Sequence, residues 1–156
     1  MRRAPDIRLE PLVAAASPAG ADGQGDEPDE VTEAILDAAV AVLAEGGLRR
    51  CTVEEIAAQG RMGRTTIYRR FDGRDDVIHA ALARELRRTF TAIAAAVTPL
   101  DRFEDRVVEG FLAGLRGARG SVVADLVRRE PELLRLVTAD AGPLVALAVD
   151  ALLATD

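Results

Sequence analysis

The chain has 156 residues, with 26 acidic and 20 basic side chains and a net charge of -6, a length that fits one domain and a charge that argues against binding nucleic acid over the whole surface. One Cys and one His exclude an intrachain disulfide and a His/Cys metal site, imply no cofactor, and remove most nucleophile–histidine catalytic pairs, leaving only a mechanism built on His79 alone. No run of about 18 apolar residues could span a membrane, and the apolar run at residues 12–16 is shorter than the roughly 7–15 residues of a signal core, so the expected location is the cytoplasm.

Residues 1–30 are expected to form a disordered acidic tail. Residues 17–29 read SPAGADGQGDEPD, too polar to offset the entropy of ordering. The segment is either passive or an acidic interaction arm. Helical periodicity then begins: Ile35, Ala38, Ala39, Val42 and Leu43 share one helix face. Pro28-Asp29 precede this helix and Gly46-Gly47 stop it. Cys51 follows, either a structural thiol or a redox sensor with its pKa lowered at a helix start.

Thr52 with Glu55 three residues on predicts a capping box opening a short helix over residues 53–59. Residues 60–63, Gly-Arg-Met-Gly, are a turn. A third short helix spans residues 64–70, and Asp72-Gly73 break the chain. A long helix over residues 74–97 carries an apolar face of Val77, Ile78, Ala81, Leu82, Leu86, Phe90 and Ile93. His79 near its start serves packing, the surface or an effector. Pro99 ends it.

A fifth helix over residues 101–116 has Phe103, Val107, Val108, Phe111, Leu112 and Leu115 on one side, an expected core face. Residues 117–120 are a hinge. Ser121 caps a helix to residue 129, Pro131 opens another to residue 137, and Pro143 opens a last one. No strand alternation is visible, so the expected class is all-α. No core face carries paired polar residues, and the chain is not read as an enzyme.

The charge is unevenly placed. Residues 1–30 carry a net -4, residues 31–90 a net +1 and residues 91–156 a net -3. Between Ile56 and Phe71 stand four Arg and no acid. The helix RTTIYRR turns Ile67 and Phe71 inward, four residues apart, leaving Arg64, Thr65, Thr66, Tyr68 and Arg69 outward. Thr hydroxyl and methyl groups suit base edges in the major groove, and a Tyr hydroxyl suits a phosphate. Arg64, Arg69 or Arg70, and Arg74 are the candidates for phosphate neutralisation.

Residues 35–78, ILDAAVAVLAEGGLRRCTVEEIAAQGRMGRTTIYRRFDGRDDVI, resemble the N-terminal domain of TetR-type transcriptional regulators. The helix–GG–TVEEIA run, the TTIYRRF helix and a basic residue opening the next helix carry the likeness. The resemblance implies a helix-turn-helix domain at residues 31–73. A helical effector-binding and dimerisation domain would follow at residues 74–156, with the long helix connecting the two. It implies a homodimeric repressor, released from a palindromic double-stranded operator by a small apolar effector. By position, Thr52 would touch phosphate, and Arg64, Thr65 and Thr66 would approach bases. Tyr68 and Arg70 would contact backbone or neighbouring bases, and Arg74 would clamp phosphate. The effector pocket would be lined by Phe90, Phe103 and Phe111.

Two departures from the family pattern stand in the turn. Its glycine is shifted by one, which requires Arg61 to adopt the left-handed conformation at about 1–2 kcal/mol. Gly63 replaces a capping Ser, a change worth a few tenths of a kcal/mol. The chain also stops short of the two long helices that make the family's dimer. The alternative expectation is therefore a truncated interaction protein that pairs with a full-length paralogue or no longer regulates.

Overall fold

The computed structural model describes residues 9–16 and 29–130, with Gly142 and Val149. The helices expected after Pro131 and Pro143 lie outside the described residues. In chain order the helices are α1 (Leu9–Ala16), α2 (Glu30–Arg50), α3 (Val53–Gln59), α4 (Arg64–Tyr68), α5 (Arg74–Val97), α6 (Phe103–Ala118) and α7 (Val122–Arg129). No strand occurs among the described residues, in agreement with the all-α expectation.

Helix α2 starts on Asp29, whose carboxylate accepts the Thr32 N–H at 2.7 Å. The predicted stop is visible as a break inside the helical span. Gly47 has φ 66° and ψ -171°, a backbone region that only glycine enters cheaply. The chain turns there and runs through Leu48 to Cys51. Thr52 opens α3 as expected, its Oγ1 accepting the Glu55 N–H at 3.1 Å.

The core sits where α2, α3, α4 and the first half of α5 meet. Ile35, Leu43, Ile56, Ile67, Val77 and Ile78 are fully buried in it. Each such side chain contributes roughly 1.5–3 kcal/mol relative to exposure. Helix α7 closes this core from the side with Val122 and Leu126, and Arg129 donates to the Ala44 carbonyl at 3.1 Å.

Arg84 is the one buried charge of α5, at 3% exposure. Its guanidinium donates to Glu33 Oε2 and Asp37 Oδ1, each at 2.7 Å, and to Glu85 Oε1 at 3.4 Å. A guanidinium taken out of water needs such partners. The pairs tie α2 to α5 across the core.

Two expectations are corrected. Part of the tail expected to be disordered is helical: α1 lies against α5, with Leu12 buried and the Ala15 carbonyl accepting from Arg87 at 3.3 Å. Eight residues do not hold a helix alone; tertiary packing does. Residues 17–28 lie outside the described residues. The second correction concerns α6, whose expected core face is exposed. Phe103, Val107, Val108, Phe111, Leu112 and Leu115 all stand in solvent, and α6 contributes no buried residue.

Candidate nucleic-acid interface

The turn before α4 obeys the expected geometry. Arg61 has φ 51°, the non-glycine residue with positive φ among the described residues. The Met62 N–H donates to the Ala57 carbonyl at 2.9 Å and the Arg61 N–H to that of Ala58 at 3.2 Å. Those two bonds define a Schellman ending for α3. The motif needs one left-handed residue, and Arg61 supplies it. Gly60 has an ordinary φ of -80° and serves space instead. A Cβ there would come within 2.5 Å of Met62 Cε and 3.2 Å of Ala38 Cβ.

Helix α4 is anchored by Ile67, fully buried, and by Phe71 just beyond its end. Opposite Ile67 on the helical wheel stand Thr65 and Arg69, with Thr66 and Tyr68 to either side. Thr65, Tyr68 and Arg69 are exposed and Thr66 half-buried; Tyr68 keeps 57% of its surface. Arg61 and Arg69 have no ion pair among the described residues. Arg64 faces Glu54 at 3.5 Å, both well exposed. That juxtaposition is invisible in the chain order, because Glu54 lies in the first turn of α3. Its own backbone N–H and then the Arg64 guanidinium hold its carboxyl below the usual range. An exposed pair of this kind is worth about 0–1 kcal/mol, so Arg64 remains free to exchange it for phosphate.

The other candidates already have partners within the chain. Thr52 is buried and caps α3. Arg70 binds Asp29 through Nη2–Oδ2 at 2.6 Å and Nε–Oδ1 at 3.3 Å. That bidentate bond raises the Arg70 pKa and, with the Thr32 bonds, holds the Asp29 carboxyl far below its ordinary value. It fastens the end of α4 to the start of α2. Arg74 donates from Nε to the Cys51 carbonyl and from Nη2 to the Leu48 carbonyl, each at 2.6 Å, and pairs with Asp75 at 2.9 Å. It braces the segment between α2 and α3.

Cys51 is fully buried, and burial pushes its thiol up to about 11. This geometry is that of a structural thiol, not of a low-pKa sensor. His79 is half-buried on α5.

These features assemble a short helix with one buried side, a polar exposed side and three exposed cations, Arg61 in the turn, Arg64 at the helix start and Arg69 at its end. The comparisons with known proteins agree. Residues 35–81 match the family model of bacterial regulatory proteins, tetR family.

Residues 35–81 form a DNA-binding domain of the tetR family.

The match runs from Ile35 in α2 to Ala81 in α5, so it covers α3, α4 and the first turns of α5. No curated protein and no solved structure matches the chain. The match supports a DNA-binding regulator of transcription. Among the described residues no helix is long and apolar enough to cross a membrane.

Phe90 is half-buried on α5, whereas Phe103 and Phe111 are exposed on α6. A shallow groove of about 430 Å³ lies nearby, lined by Ala96, Leu100, Asp105, Val108 and Glu109. None of the three Phe belongs to it.

Proposed function

We propose that the chain is a cytoplasmic repressor that lays α4 in the major groove of a palindromic operator, as a homodimer, and carries out no catalysis. The observation that supports this best is the exposed side of α4, with Thr65, Thr66, Tyr68 and Arg69 set opposite the buried Ile67. Thr65 and Thr66 approach base edges. Arg64, Arg69 and Tyr68 bind phosphate, and Arg61, one turn earlier, adds a cation that the sequence pattern did not single out. Thr52, Arg70 and Arg74 act in this proposal mainly by positioning, since each already holds the domain together. Release by a small apolar effector is part of the proposal on the strength of the family resemblance alone.

The test is selection of bound duplexes from a random pool by the chain as it stands, at fixed salt. Inverted half-sites about one helical turn apart support the reading. Arg69→Ala then lowers the salt slope of binding by about 1 without changing the selected sequence. Failure to enrich any sequence, with the helical fold intact, overturns it.

A further inference from the structure

Between Ile56 and Phe71 the sequence holds four Arg and no acid, yet the fold brings an acid from another element to each end of α4. Glu54 of α3 stands at the start, beside Arg64. Asp29, the N-cap of α2, stands at the end, on Arg70. The two pairs differ in build. Glu54 makes one contact at 3.5 Å, with both side chains mostly in water. Asp29 meets the Arg70 fork with both oxygens, Oδ2 on Nη2 at 2.6 Å and Oδ1 on Nε at 3.3 Å. Oδ1 also accepts the Thr32 N–H at 2.7 Å, so the carboxylate is fixed before any ligand arrives. The turn that carries it is held as well. The Glu33 N–H bonds the Asp29 carbonyl at 3.0 Å, and the Glu33 carboxylate accepts from Arg84 of α5 at 2.7 Å.

A carboxylate met in this way offers a guanidinium the two-oxygen acceptor that a phosphate also offers. Arg70 is within reach of such a phosphate, since its side chain keeps 28% of its surface and that of Asp29 keeps 57%. It also lies on the relevant side of α4. Helical bonding continues past Tyr68, with the Phe71 N–H on the Ile67 carbonyl at 3.0 Å. Arg70 therefore falls four residues after Thr66, on the same flank. A phosphate alongside that flank finds the guanidinium already occupied.

We propose that Asp29 is a specificity-determining residue of the DNA interface: it withholds Arg70 from phosphate, so that backbone attraction stays low and base contacts decide where α4 docks. Non-specific binding is almost wholly attraction to phosphate, whereas a specific complex adds contacts to base edges. A cation withheld from phosphate therefore weakens most the docking poses that phosphates alone hold. Arg64, on its single loose contact, is released on docking; Arg70 is kept. The inference rests on the proposed docking of α4 on DNA, and on neither the dimer nor the symmetry of the operator.

Asp29→Asn tests it, because Asn caps a helix about as well as Asp and brings no charge to Arg70. Binding of the full chain to a random-sequence duplex is titrated from about 50 to 200 mM salt, with the helical signal followed by circular dichroism. The freed guanidinium takes up one more phosphate and steepens the salt slope by about 0.9 per chain, so the gain over wild type is about threefold larger at the low-salt end than at the high. Adding Arg70→Ala to the variant removes the extra slope. On a duplex selected by the wild type the variant gains less than on the random one, so discrimination falls. Asp29→Ser, a second neutral cap, repeats the measurement if the Asn variant loses helical signal. An unchanged slope in a folded variant overturns the inference, as does an equal gain on both duplexes. Weaker binding of random duplex at every salt overturns it too, since Asp29 then only holds α4 in place. A wild type that binds random duplex but selects no sequence removes the proposed function, while the slope of the variant still decides this inference; if neither protein binds duplex at low salt, both fall.

Discussion

Replacing Arg61 with glycine should stabilise the protein. Arg61 holds φ 51° at the end of α3, where the Schellman bonds from Arg61 and Met62 fix the backbone. A side chain in that conformation costs about 1–2 kcal/mol through the close approach of Cβ to the carbonyl oxygen. Glycine removes the strain but gives back about 0.4–1 kcal/mol through a freer unfolded chain. The net gain is about 0.5–1 kcal/mol, or roughly 2–4 °C in melting temperature for a protein of this size. Thermal melts followed by circular dichroism, with urea midpoints alongside, measure it. Arg61→Ala is the control: it removes the charge, keeps the strain, and melts with the wild type within about 1 °C. Arg61→Asn falls between, because Asn tolerates the left-handed region better than Ala. Arg61→Gly melting at or below Arg61→Ala would refute the strain argument. In a DNA titration both Gly and Ala variants bind more weakly with a shallower salt slope, so the glycine variant gains stability and loses affinity together.

The Arg84 cluster should respond unequally to its two sides. Removing two partners with Glu33→Gln and Asp37→Asn leaves the buried guanidinium only Glu85 at 3.4 Å and costs about 2–4 kcal/mol in urea denaturation, whereas Arg84→Met leaves acids that keep part of their surface in water and costs about 1 kcal/mol or less. Cys51 should resist alkylation at pH 8 in the native state and react on unfolding; its thiol is pushed up to about 11, so the stability it lends is whole below the unfolded thiol value and is lost as pH rises toward 11. The Asp29 carboxyl is depressed by Arg70 and Thr32, so its stabilisation is whole above the unfolded carboxyl value of about 3.9 and fades as pH falls below it. Asp29→Asn should flatten that acid limb in melts between about pH 5 and 2.

Much of the fold was legible because it rests on local signals. Ile35, Ala38, Ala39, Val42 and Leu43 read as one face and are buried as one face. The long helix predicted at residues 74–97 matches α5 (Arg74–Val97) at both ends, since Gly73 and Pro99 punctuate it chemically. The left-handed Arg61 was likewise foreseeable from the shifted glycine. What stayed illegible depends on contacts distant in sequence. Residues 9–16, LEPLVAAA, are apolar but too short to hold a helix alone, and α5 holds them. The α6 stripe read as core because an apolar face predicts burial without saying against what; here glycines 114 and 117 make the contact with α5 instead.

The arginines show the same limit at the site. Ten stand between residues 31 and 90, chemically identical in the sequence, and the fold divides them by what they meet. Arg84 is sealed against three acids, Arg70 is bound by Asp29, and Arg74 is spent on two carbonyls. Arg61, Arg64 and Arg69 are left near the exposed side of α4, with only Glu54 close to one of them. A count of charges therefore does not say which cations are open to phosphate: Arg70 and Arg74, which the resemblance assigns to DNA, also hold bonds within the domain. The consequence is quantitative. Each phosphate neutralised adds about 0.9 to the salt slope on duplex DNA, so Arg61, Arg69 and an Arg64 that exchanges Glu54 for phosphate imply a slope of about -5 for the proposed dimer. A slope near -9 would mean that Arg70 and Arg74 leave their internal partners when DNA binds, and that the domain loosens as it docks.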